Sequence, residues 1–318
     1  MTVAARSPMP MIVGSIRSGT TLLRMMLDSH PELTIPPESY FAARLVTLRT
    51  RYERDGGVDV DAATDDLLHR ADFASFRRNW SLDPDVVQQR LADANPTSLS
   101  DLVRALYAAW AEQQGKPRYG DKTPVFVLHV PRLAALLPEA QFIHLVRDGR
   151  DVARSMLDLH HPDHASSVAA AADEWARCIR AGRNAQRELG DSRYLEVRYD
   201  DLVTDPAATL HSICSFIELD FDPIMLRSHE RGTDAVPAHE RWQHANLVHP
   251  PVTGLRDWRR DMSAHDVALF EAIAGNELTE AGFERAVAHL PLWARVRARL
   301  RRVRVFARKL VTRLRRPR

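Results

Sequence analysis

The sequence of 318 residues has few of the residues that mark several common classes of protein. It contains only two cysteines, Cys178 and Cys214, and neither forms a CxxC pair. This argues against a disulfide framework or a zinc site and favours a reducing compartment. No apolar run approaches the ~20 residues that span a bilayer, and the first ten residues contain no apolar core of signal-peptide length. The composition predicts a globular protein, with the cytoplasm as its expected location.

Charge of one sign is also scarce over most of the chain, whose formal net charge is only +2. The exception is the C-terminal segment 291–318, which is rich in arginine and contains no acidic residue. Apolar residues recur there at steps of three and four: Val296, Leu300, Val303, Ala307, Leu310 and Leu314. This spacing predicts a basic amphipathic helix. Such a helix fits the inner, anionic face of a membrane. Docking on the domain, pairing with another subunit and nucleic-acid binding are alternatives, although nothing else in the chain supports nucleic acid.

Short apolar runs alternate with helical patterns along the rest of the chain. Strands are predicted at 10–14, 140–146 and 194–197, and a helical pattern follows each of them. This alternation predicts an α/β fold with a central parallel sheet flanked by helices. Residues 39–118 are mostly helical in pattern and predict a helical elaboration. Because ligands bind beyond the carboxyl ends of strands in such sheets, the loops after the strands are the places to look for chemistry.

The first of these loops, residues 14–21, has the sequence GSIRSGTT. Its two glycines are separated by four residues, which is the spacing of a phosphate-binding loop that opens a helix. Nucleotide triphosphatases carry a lysine where this sequence has Thr20, and the cation here is Arg17, inside the loop. The pattern favours a terminal anion held by hydroxyls and a guanidinium without magnesium. An ordinary glycine turn before a helix is the alternative.

The second loop follows the strand at 140–146. Arg147 lies at the carboxyl end of that strand, and Ser155 lies about two turns into the next helix. A guanidinium and a hydroxyl in these positions could hold a second phosphate. The alternative is that Arg147 and Asp148 only cap the helix and pair locally.

Together the two loops resemble those of sulfotransferases that use the donor PAPS (3′-phosphoadenosine 5′-phosphosulfate). The resemblance rests on RSGTT at 17–21 and on VRDGRD at 146–151 with Ser155. The longer string RSGTTLLRMMLDSHPEL, followed by Glu38, is most similar to the tyrosylprotein-sulfotransferase-like branch and its bacterial relatives. GDKTP at 120–124, RYDDLV at 198–203 and Trp258 continue in the family's order, so the resemblance covers roughly residues 9–285.

This resemblance implies a P-loop-like fold, with residues 1–290 as one sulfotransferase domain and about 39–118 as its acceptor-side region. It implies an enzyme that transfers a sulfuryl group from PAPS to an acceptor hydroxyl by in-line displacement, without a metal. The residues that it assigns to donor binding are Arg17, Ser18, Gly19, Thr20 and Thr21 around the phosphosulfate, Arg147 and Ser155 at the 3′-phosphate, and Tyr199 at the nucleotide. For Tyr199, a half-buried aromatic that closes a strand end is nearly as good an interpretation.

The resemblance also assigns the catalytic groups. Glu38 occupies the position of the family's general base, which takes the proton of the acceptor hydroxyl. An acidic residue in a first helical turn is the alternative, and His30 is a rival base whose position after a helix favours a structural role. Lys122, with Arg17, would stabilise the transferred group, although an exposed lysine is the ordinary fate of this residue.

Two positions depart from the family pattern. The segment 246–256 should fold over the donor, but Asp257 stands directly before Trp258 where relatives carry a basic residue. Leu159 likewise replaces a basic residue. Substitutes that remain in the sequence are Arg150, Arg154 and Arg256. The histidines of segment 160–164 lack the helical spacing of a metal site and are interpreted as part of a substrate-side loop.

Two other functions compete with a sulfotransferase. A P-loop kinase or nucleotide hydrolase would bind Mg-ATP, which the missing lysine disfavours. A binding protein would keep the nucleotide pocket without turnover, which the combination of Arg17, Glu38 and Lys122 disfavours. The acceptor stays open between a tyrosine, a sugar, a lipid headgroup and a small alcohol.

Overall fold

The structure, a computed structural model, describes residues 7–54, 56–159, 165–232, 236–250 and 257–314, with the main chain alone at 54, 240, 243–246 and 305–314. The histidine-rich segment 160–164 and residues 251–256, which include Arg256, therefore lie outside the described residues.

Eight strands are found in the described chain: β1 (Met9–Gly14), β2 (Leu33–Thr34), β3 (Glu53–Arg54), β4 (Gly57–Val58), β5 (Arg118–Tyr119), β6 (Asp121–Lys122), β7 (Ala140–Val146) and β8 (Tyr194–Arg198). The α-helices are α1 (Thr20–Asp28), α2 (Phe41–Thr47), α3 (Arg49–Tyr52), α4 (Val60–His69), α5 (Ala74–Trp80), α6 (Pro84–Ala94), α7 (Leu99–Gln113), α8 (Val130–Leu136), α9 (Gly149–Asp158), α10 (Val168–Leu189), α11 (Tyr199–Thr204), α12 (Pro206–Phe216), α13 (Trp258–Asp261), α14 (Ala264–Glu280) and α15 (Leu292–Leu314). Short 3₁₀ helices lie at Ala71–Phe73, Pro124–Leu128, Pro223–Arg231 and Ala238–Val248.

The central sheet has four parallel strands in the order β6-β1-β7-β8. All six residues of β1 are buried, as expected for a strand that is covered on both faces. Gly14 pairs with Leu145, and Leu145 pairs with Val197, so the carboxyl ends of β1, β7 and β8 lie side by side. The predicted α/β fold with a parallel sheet is confirmed. The two-residue edge strand β6 was not predicted, because Asp121 and Lys122 carry no apolar pattern.

The described chain divides into two units. The first consists of the described residues of Met1–Val146 and Ala181–Thr253 and contains the whole central sheet. Its core joins the sheet to α1 and α12, through residues such as Ile12, Leu23 and Ile213, all of which are fully buried. Cys214 is buried in this core as a free thiol.

The helical region within the first unit has an aromatic core. The ring of Trp80, on α5, lies 5.1 Å from that of Phe41 on α2 and 5.3 Å from that of Tyr107 on α7. Tyr107 also donates a hydrogen bond of 2.8 Å to Asp121, next to Lys122 on β6. The ring contacts hold α5 against α2 and α7, and the hydrogen bond holds α7 beside β6.

The second unit consists of the described residues of Arg147–Arg180 and Gly254–Arg318. The rings of Trp175 on α10 and Phe270 on α14 lie 5.8 Å apart. A Cβ atom at Gly149 would lie 2.5 Å from Trp175, so only glycine fits where α9 begins. Cys178 is buried here as a free thiol. Among the helices that the structure describes, none is long and apolar enough to cross a membrane.

Candidate active site

The loop between β1 and α1 has the features of an anion-binding site. Within this described stretch, no side chain caps the start of α1, and its first turn contains no acidic residue. The helix therefore presents uncapped N–H groups and the positive end of its dipole. The loop is tightened by Ser18, whose hydroxyl donates to the carbonyl of Ser15 at 2.8 Å. The hydroxyl of Ser15 is buried without a hydrogen-bond partner among the described residues, which suits a loop that closes on a polar group.

Gly19, at the end of this loop, is fixed by close packing. Its φ of 99° lies in the left-handed region, and a Cβ atom there would lie 2.5 Å from the ring of Tyr199. Tyr199 begins α11 directly after β8 and packs against the hydrophobic core of the first unit. The structure thus gives Tyr199 the packing role that the sequence left open, and its predicted contact with a nucleotide stays a prediction.

Glu38 and Lys122 form an ion pair beside this loop. Nζ of Lys122 lies 2.9 Å from Oε2 of Glu38, and the two side chains are 5% and 20% exposed. Lys122 is held by the pairing of β6 with β1, in which it lies opposite Ile12. Tyr40 donates a hydrogen bond of 2.6 Å to Oε1 of Glu38. Both carboxylate oxygens of Glu38 therefore accept a hydrogen bond from a fixed donor, and Lys122 is not the exposed lysine of the alternative interpretation.

The electrostatics of Glu38 follow from these contacts. Burial raises the pKa of Glu38, but the charge of Lys122, the hydrogen bonds from Tyr40 and Lys122, and the charge of Arg17 outweigh it. The pKa of Glu38 consequently lies below its ordinary value of 4.5, so the carboxylate is ionised at neutral pH. The structure thus brings three of the predicted residues together: Arg17, Glu38 and Lys122.

Two residues of this site have strained backbones. Arg17 has a φ of 66° and Tyr40 a φ of 59°, a region that costs other residues than glycine roughly 1–2 kcal/mol. Such strain persists where the surrounding structure enforces it and is concentrated at functional sites.

His30 is excluded as a base by its hydrogen bonds. Its Nδ1 accepts from the backbone N–H of Glu32 at 3.1 Å, and its Nε2 lies 2.9 Å from the carbonyl of Asp220. Because Nδ1 accepts, Nε2 carries the proton and donates it to that carbonyl. Both ring nitrogens are occupied, and the structural role favoured by the sequence is confirmed.

The comparison with known proteins agrees with this geometry. The profile of the Sulfotransferase family matches residues 8–223, which is well over half of the chain. The chain belongs to the Sulfotransferase family. The match includes the loop after β1, Glu38, Lys122 and the start of α9.

Individual members of this family share only about a quarter of their aligned residues with this chain. Protein-tyrosine sulfotransferase 2 of Gallus gallus is 27% identical over 228 residues, which cover 70% of this chain and 54% of that protein. A putative protein-tyrosine sulfotransferase of Caenorhabditis briggsae is 24% identical over 224 residues, which cover 69% of this chain and 68% of that protein. This sulfotransferase chain thus spans about half the length of the Gallus gallus relative.

A solved structure has the same fold over nearly the whole chain. The sulfotransferase domain of the Synechococcus PCC 7002 olefin synthase is 26% identical with a TM-score of 0.59. The superposition covers 89% of this chain and 98% of that domain. The central parallel sheet with flanking helices is therefore the sulfotransferase fold.

The second predicted phosphate site lies in the second unit. Arg147 and Ser155 are both buried, Arg147 immediately before α9 and Ser155 within it. A guanidinium nitrogen of Arg147 lies 4.0 Å from Asp151, and its carbonyl accepts from the indole of Trp175 at 3.1 Å. Burial raises the pKa of Asp151 to about 6, although Arg147 opposes the rise. Arg147 therefore lies beside the carboxyl group of Asp151, whose pKa is close to neutral pH.

Two of the three substitutes named for this phosphate site, Arg150 and Arg154, are described, and both pair with acidic residues. Arg150 is 1% exposed and donates to Asp148, to Glu271 and to the carbonyl of Glu284. Its guanidinium also lies 3.6 Å from the centre of the Trp258 ring. This buried network gives Arg150 a structural role, which argues against its suggested role as a phosphate ligand. Arg154 is half-exposed and pairs with Asp158 at 2.8 Å.

Sequence reasoning missed the residues that hold Glu38. Tyr40 follows Glu38 by two positions, and such residues point to the same side of an extended segment, but this signal is too weak to identify a partner. Asn79 lies 41 positions along the chain and donates to the carbonyl of Glu38. No local sequence pattern predicts a hydrogen bond between residues so far apart in the chain.

Proposed function

We propose that this protein is an enzyme that transfers a sulfuryl group from PAPS to an acceptor hydroxyl. The observation that carries the proposal is the grouping of Arg17, Glu38 and Lys122 beside the anion-binding loop. Membership of the Sulfotransferase family supports it. A kinase is disfavoured because Thr20 stands in the position of the lysine that reaches the outer phosphates of ATP.

The donor site is built from the loop after β1, the start of α9 and Tyr199. PAPS, when bound, supplies the sulfuryl group, and 3′,5′-adenosine bisphosphate is its leaving group. The N–H groups at the start of α1 bind its anionic end with Arg17, Ser18, Gly19, Thr20 and Thr21. Arg147 and Ser155 bind the 3′-phosphate, and Tyr199 contacts the nucleotide, as the family resemblance implies.

Glu38 serves as the general base, and Lys122 stabilises the transferred group. Paired with Lys122, Glu38 is ionised but has a low affinity for a proton. When Lys122 turns towards an anionic oxygen of the transferred group, its charge no longer opposes the effect of burial to the same extent. Glu38 then becomes a stronger base and can accept the proton of an acceptor hydroxyl within hydrogen-bond reach. Arg17 and Lys122 stabilise the charge of the transferred group.

Calorimetry without magnesium tests the donor. The proposal predicts that the protein binds 3′,5′-adenosine bisphosphate in EDTA, and binds it more tightly than Mg-ATP in a separate titration with magnesium. Preference for Mg-ATP would instead indicate a kinase or hydrolase. Binding of the bisphosphate without release of label from [³⁵S]PAPS to any acceptor would indicate a binding protein.

A tyrosine side chain is the first acceptor to test, because relatives are named protein-tyrosine sulfotransferases. The panel contains a tyrosine peptide, a saccharide, a glycolipid and a small alcohol, each with [³⁵S]PAPS. If more label is transferred to the tyrosine peptide than to the other three compounds, a protein acceptor is supported. If another compound receives more label, that compound represents the acceptor class instead.

The C-terminal helix supports a further part of the proposal, namely a peripheral position on an anionic membrane surface. Helix α15 packs against α14, its residues Ala294 and Ala298 are buried, and Arg301 pairs with Asp173. The part of the predicted apolar stripe whose side chains are described faces outwards: Val296, Leu300 and Val303 are 47–62% exposed, and Leu292, one turn earlier, is 69% exposed. The helix thus docks by its alanines and leaves an apolar stripe between arginines, a pattern that fits lipid headgroups above an apolar interior. The inner face of a cytoplasmic membrane is the proposed location.

Vesicle sedimentation tests this location. The full chain should sediment with phosphatidylserine vesicles more than with phosphatidylcholine vesicles, and more strongly at low salt. The triple variant Val296→Ser, Leu300→Ser, Val303→Ser keeps the docking alanines and every arginine, and it should lose this binding while it keeps donor binding. Equal sedimentation of the two proteins would contradict a membrane role for the stripe.

A further inference from the structure

The backbone that carries Glu38 is held by the side chains of a single helix, α5. Three consecutive carbonyls accept hydrogen bonds from it, namely Pro37 from Nε1 of Trp80 (2.8 Å), Glu38 from Nδ2 of Asn79 (2.7 Å) and Ser39 from Oγ of Ser75 (2.7 Å). We call Ser75, Asn79 and Trp80 the α5 clamp. The carbonyls of residues 37–39 lie between β2 and α2, outside any strand or helix, so these side chains supply partners that secondary structure does not.

The α5 clamp is itself rigid. Trp80 and Asn79 are buried, and the ring of Trp80 packs against those of Phe41 and Tyr107. Ser75 and Asn79 are four residues apart and share one face of the helix. The position of the Glu38 backbone is therefore fixed by the aromatic core of the helical region.

The carboxylate of Glu38 is held separately from its backbone. Tyr40 donates to Oε1 at 2.6 Å, and Lys122 donates to Oε2 at 2.9 Å. Under the proposed function Lys122 leaves Glu38 to bind the transferred group. Tyr40 donates to the other carboxylate oxygen, so its hydrogen bond still orients Glu38 after Lys122 has moved.

We propose that Asn79 and Tyr40 are positioning residues for the general base, with Asn79 fixing the backbone of Glu38 and Tyr40 fixing its carboxylate. This inference rests on the proposed role of Glu38 as the base. It adds two residues to the site that neither the motifs nor the family resemblance assign.

The pH dependence of turnover distinguishes positioning from a purely structural role. The charged groups that face Glu38 are Lys122 and Arg17, which favour its ionised form, and Asp121, which lies close enough to interact with it. The hydroxyl of Tyr40 also favours the ionised form. Because removal of this hydroxyl raises the pKa of Glu38, the acid limb of the pH–rate profile should move to higher pH.

The experiment compares Tyr40→Phe and Asn79→Leu with wild type, using [³⁵S]PAPS and the acceptor that the panel identifies. Both variants should lower kcat by about 10-fold to 100-fold and leave the affinity for 3′,5′-adenosine bisphosphate unchanged. Tyr40→Phe should also move the acid limb to higher pH. Tyr52→Phe is the matched control, because Tyr52 likewise donates to a carboxylate, that of Asp66 at 2.8 Å. It should change neither kcat nor the acid limb.

The kcat values of the variants separate a failure of the positioning role from a failure of Glu38 as the base. Wild-type kcat and an unmoved acid limb in both variants would overturn the positioning role. Wild-type kcat in Glu38→Gln would instead remove the base itself and with it the proposed mechanism. If Tyr40→Phe does not fold, the decision passes to Asn79→Leu, for which wild-type kcat would overturn the proposal. A ¹³C NMR titration of the Glu38 side chain, assigned with Glu38→Gln, gives a readout without turnover: its pKa should rise in Tyr40→Phe.

Discussion

Replacement of Lys122 by methionine removes one charge of the buried ion pair and keeps most of the side-chain volume. The pair is close, at 2.9 Å, and Lys122 is 5% exposed. Removal of one partner from a buried pair costs about 3–5 kcal/mol, because the other charge is left uncompensated. Glu38 is 20% exposed and keeps the hydrogen bond from Tyr40. We therefore expect the lower end of this range, a loss of about 3 kcal/mol in the free energy of unfolding at pH 7.5.

The loss should depend on pH in a definite direction. In the wild type the folded pKa of Glu38 lies below 4.5, so its ionised form contributes stability above that pH, and this is lost as the pH falls through the folded pKa. In Lys122→Met the effect of burial is opposed only by Tyr40 and Arg17, and the pKa of Glu38 rises. Glu38 can then become protonated in the variant, so the difference from wild type should shrink between pH 7.5 and pH 4.5.

Urea unfolding of four proteins measures both effects: wild type, Lys122→Met, Glu38→Gln and the double variant. At pH 7.5 the double variant should be more stable than Lys122→Met, because the uncompensated charge is gone. A loss below about 1 kcal/mol, which is typical of an exposed pair, would refute the reasoning. The same loss at pH 7.5 and pH 4.5 would refute it as well.

Two further predictions concern donor binding. Arg147→Ala should weaken binding of 3′,5′-adenosine bisphosphate by about 1.5–3 kcal/mol, the worth of a hydrogen bond to a charged group, and unchanged affinity in calorimetry would remove Arg147 from the site. Gly19→Ala should lower both Tm and donor affinity, since the new Cβ would lie 2.5 Å from the Tyr199 ring. Gly56→Ala is its control, because Gly56 has a φ of +86° and its new Cβ would meet no atom of the described residues within 4 Å beyond its chain neighbours. An equal effect of both substitutions would refute the steric argument.

The fold was largely predictable because the central strands are short, apolar and followed by helices. The prediction of strands at 10–14, 140–146 and 194–197 agrees with β1, β7 and β8 to within a residue or two. The edge strand β6 was missed because its two residues are polar. It is held by backbone pairing to β1 and by the hydrogen bond from Tyr107 to Asp121, and both are long-range contacts.

The candidate site was predictable only where a motif occurs. Arg17, Glu38 and Lys122 were named from the family resemblance, and the structure adds that Lys122 is buried on β6 and donates a hydrogen bond to Glu38. The buried network of Arg150 could not be foreseen, because Glu271 lies 121 residues away in the sequence. For the same reason Asn79 carried no signal, since its contact with Glu38 depends on how α5 packs. Tyr40 lies close to Glu38 in the sequence, but that spacing alone does not identify a hydrogen-bond partner.

Single-turnover transfer by Glu38→Gln tests whether Glu38 is the general base. The amide keeps the shape of the side chain and cannot serve as the base. With [³⁵S]PAPS and the acceptor that the panel identifies, we expect wild-type donor affinity and a transfer rate lower by about 10²–10⁴-fold. A transfer rate near that of the wild type would contradict the assignment of Glu38 as the general base and the mechanism built on it.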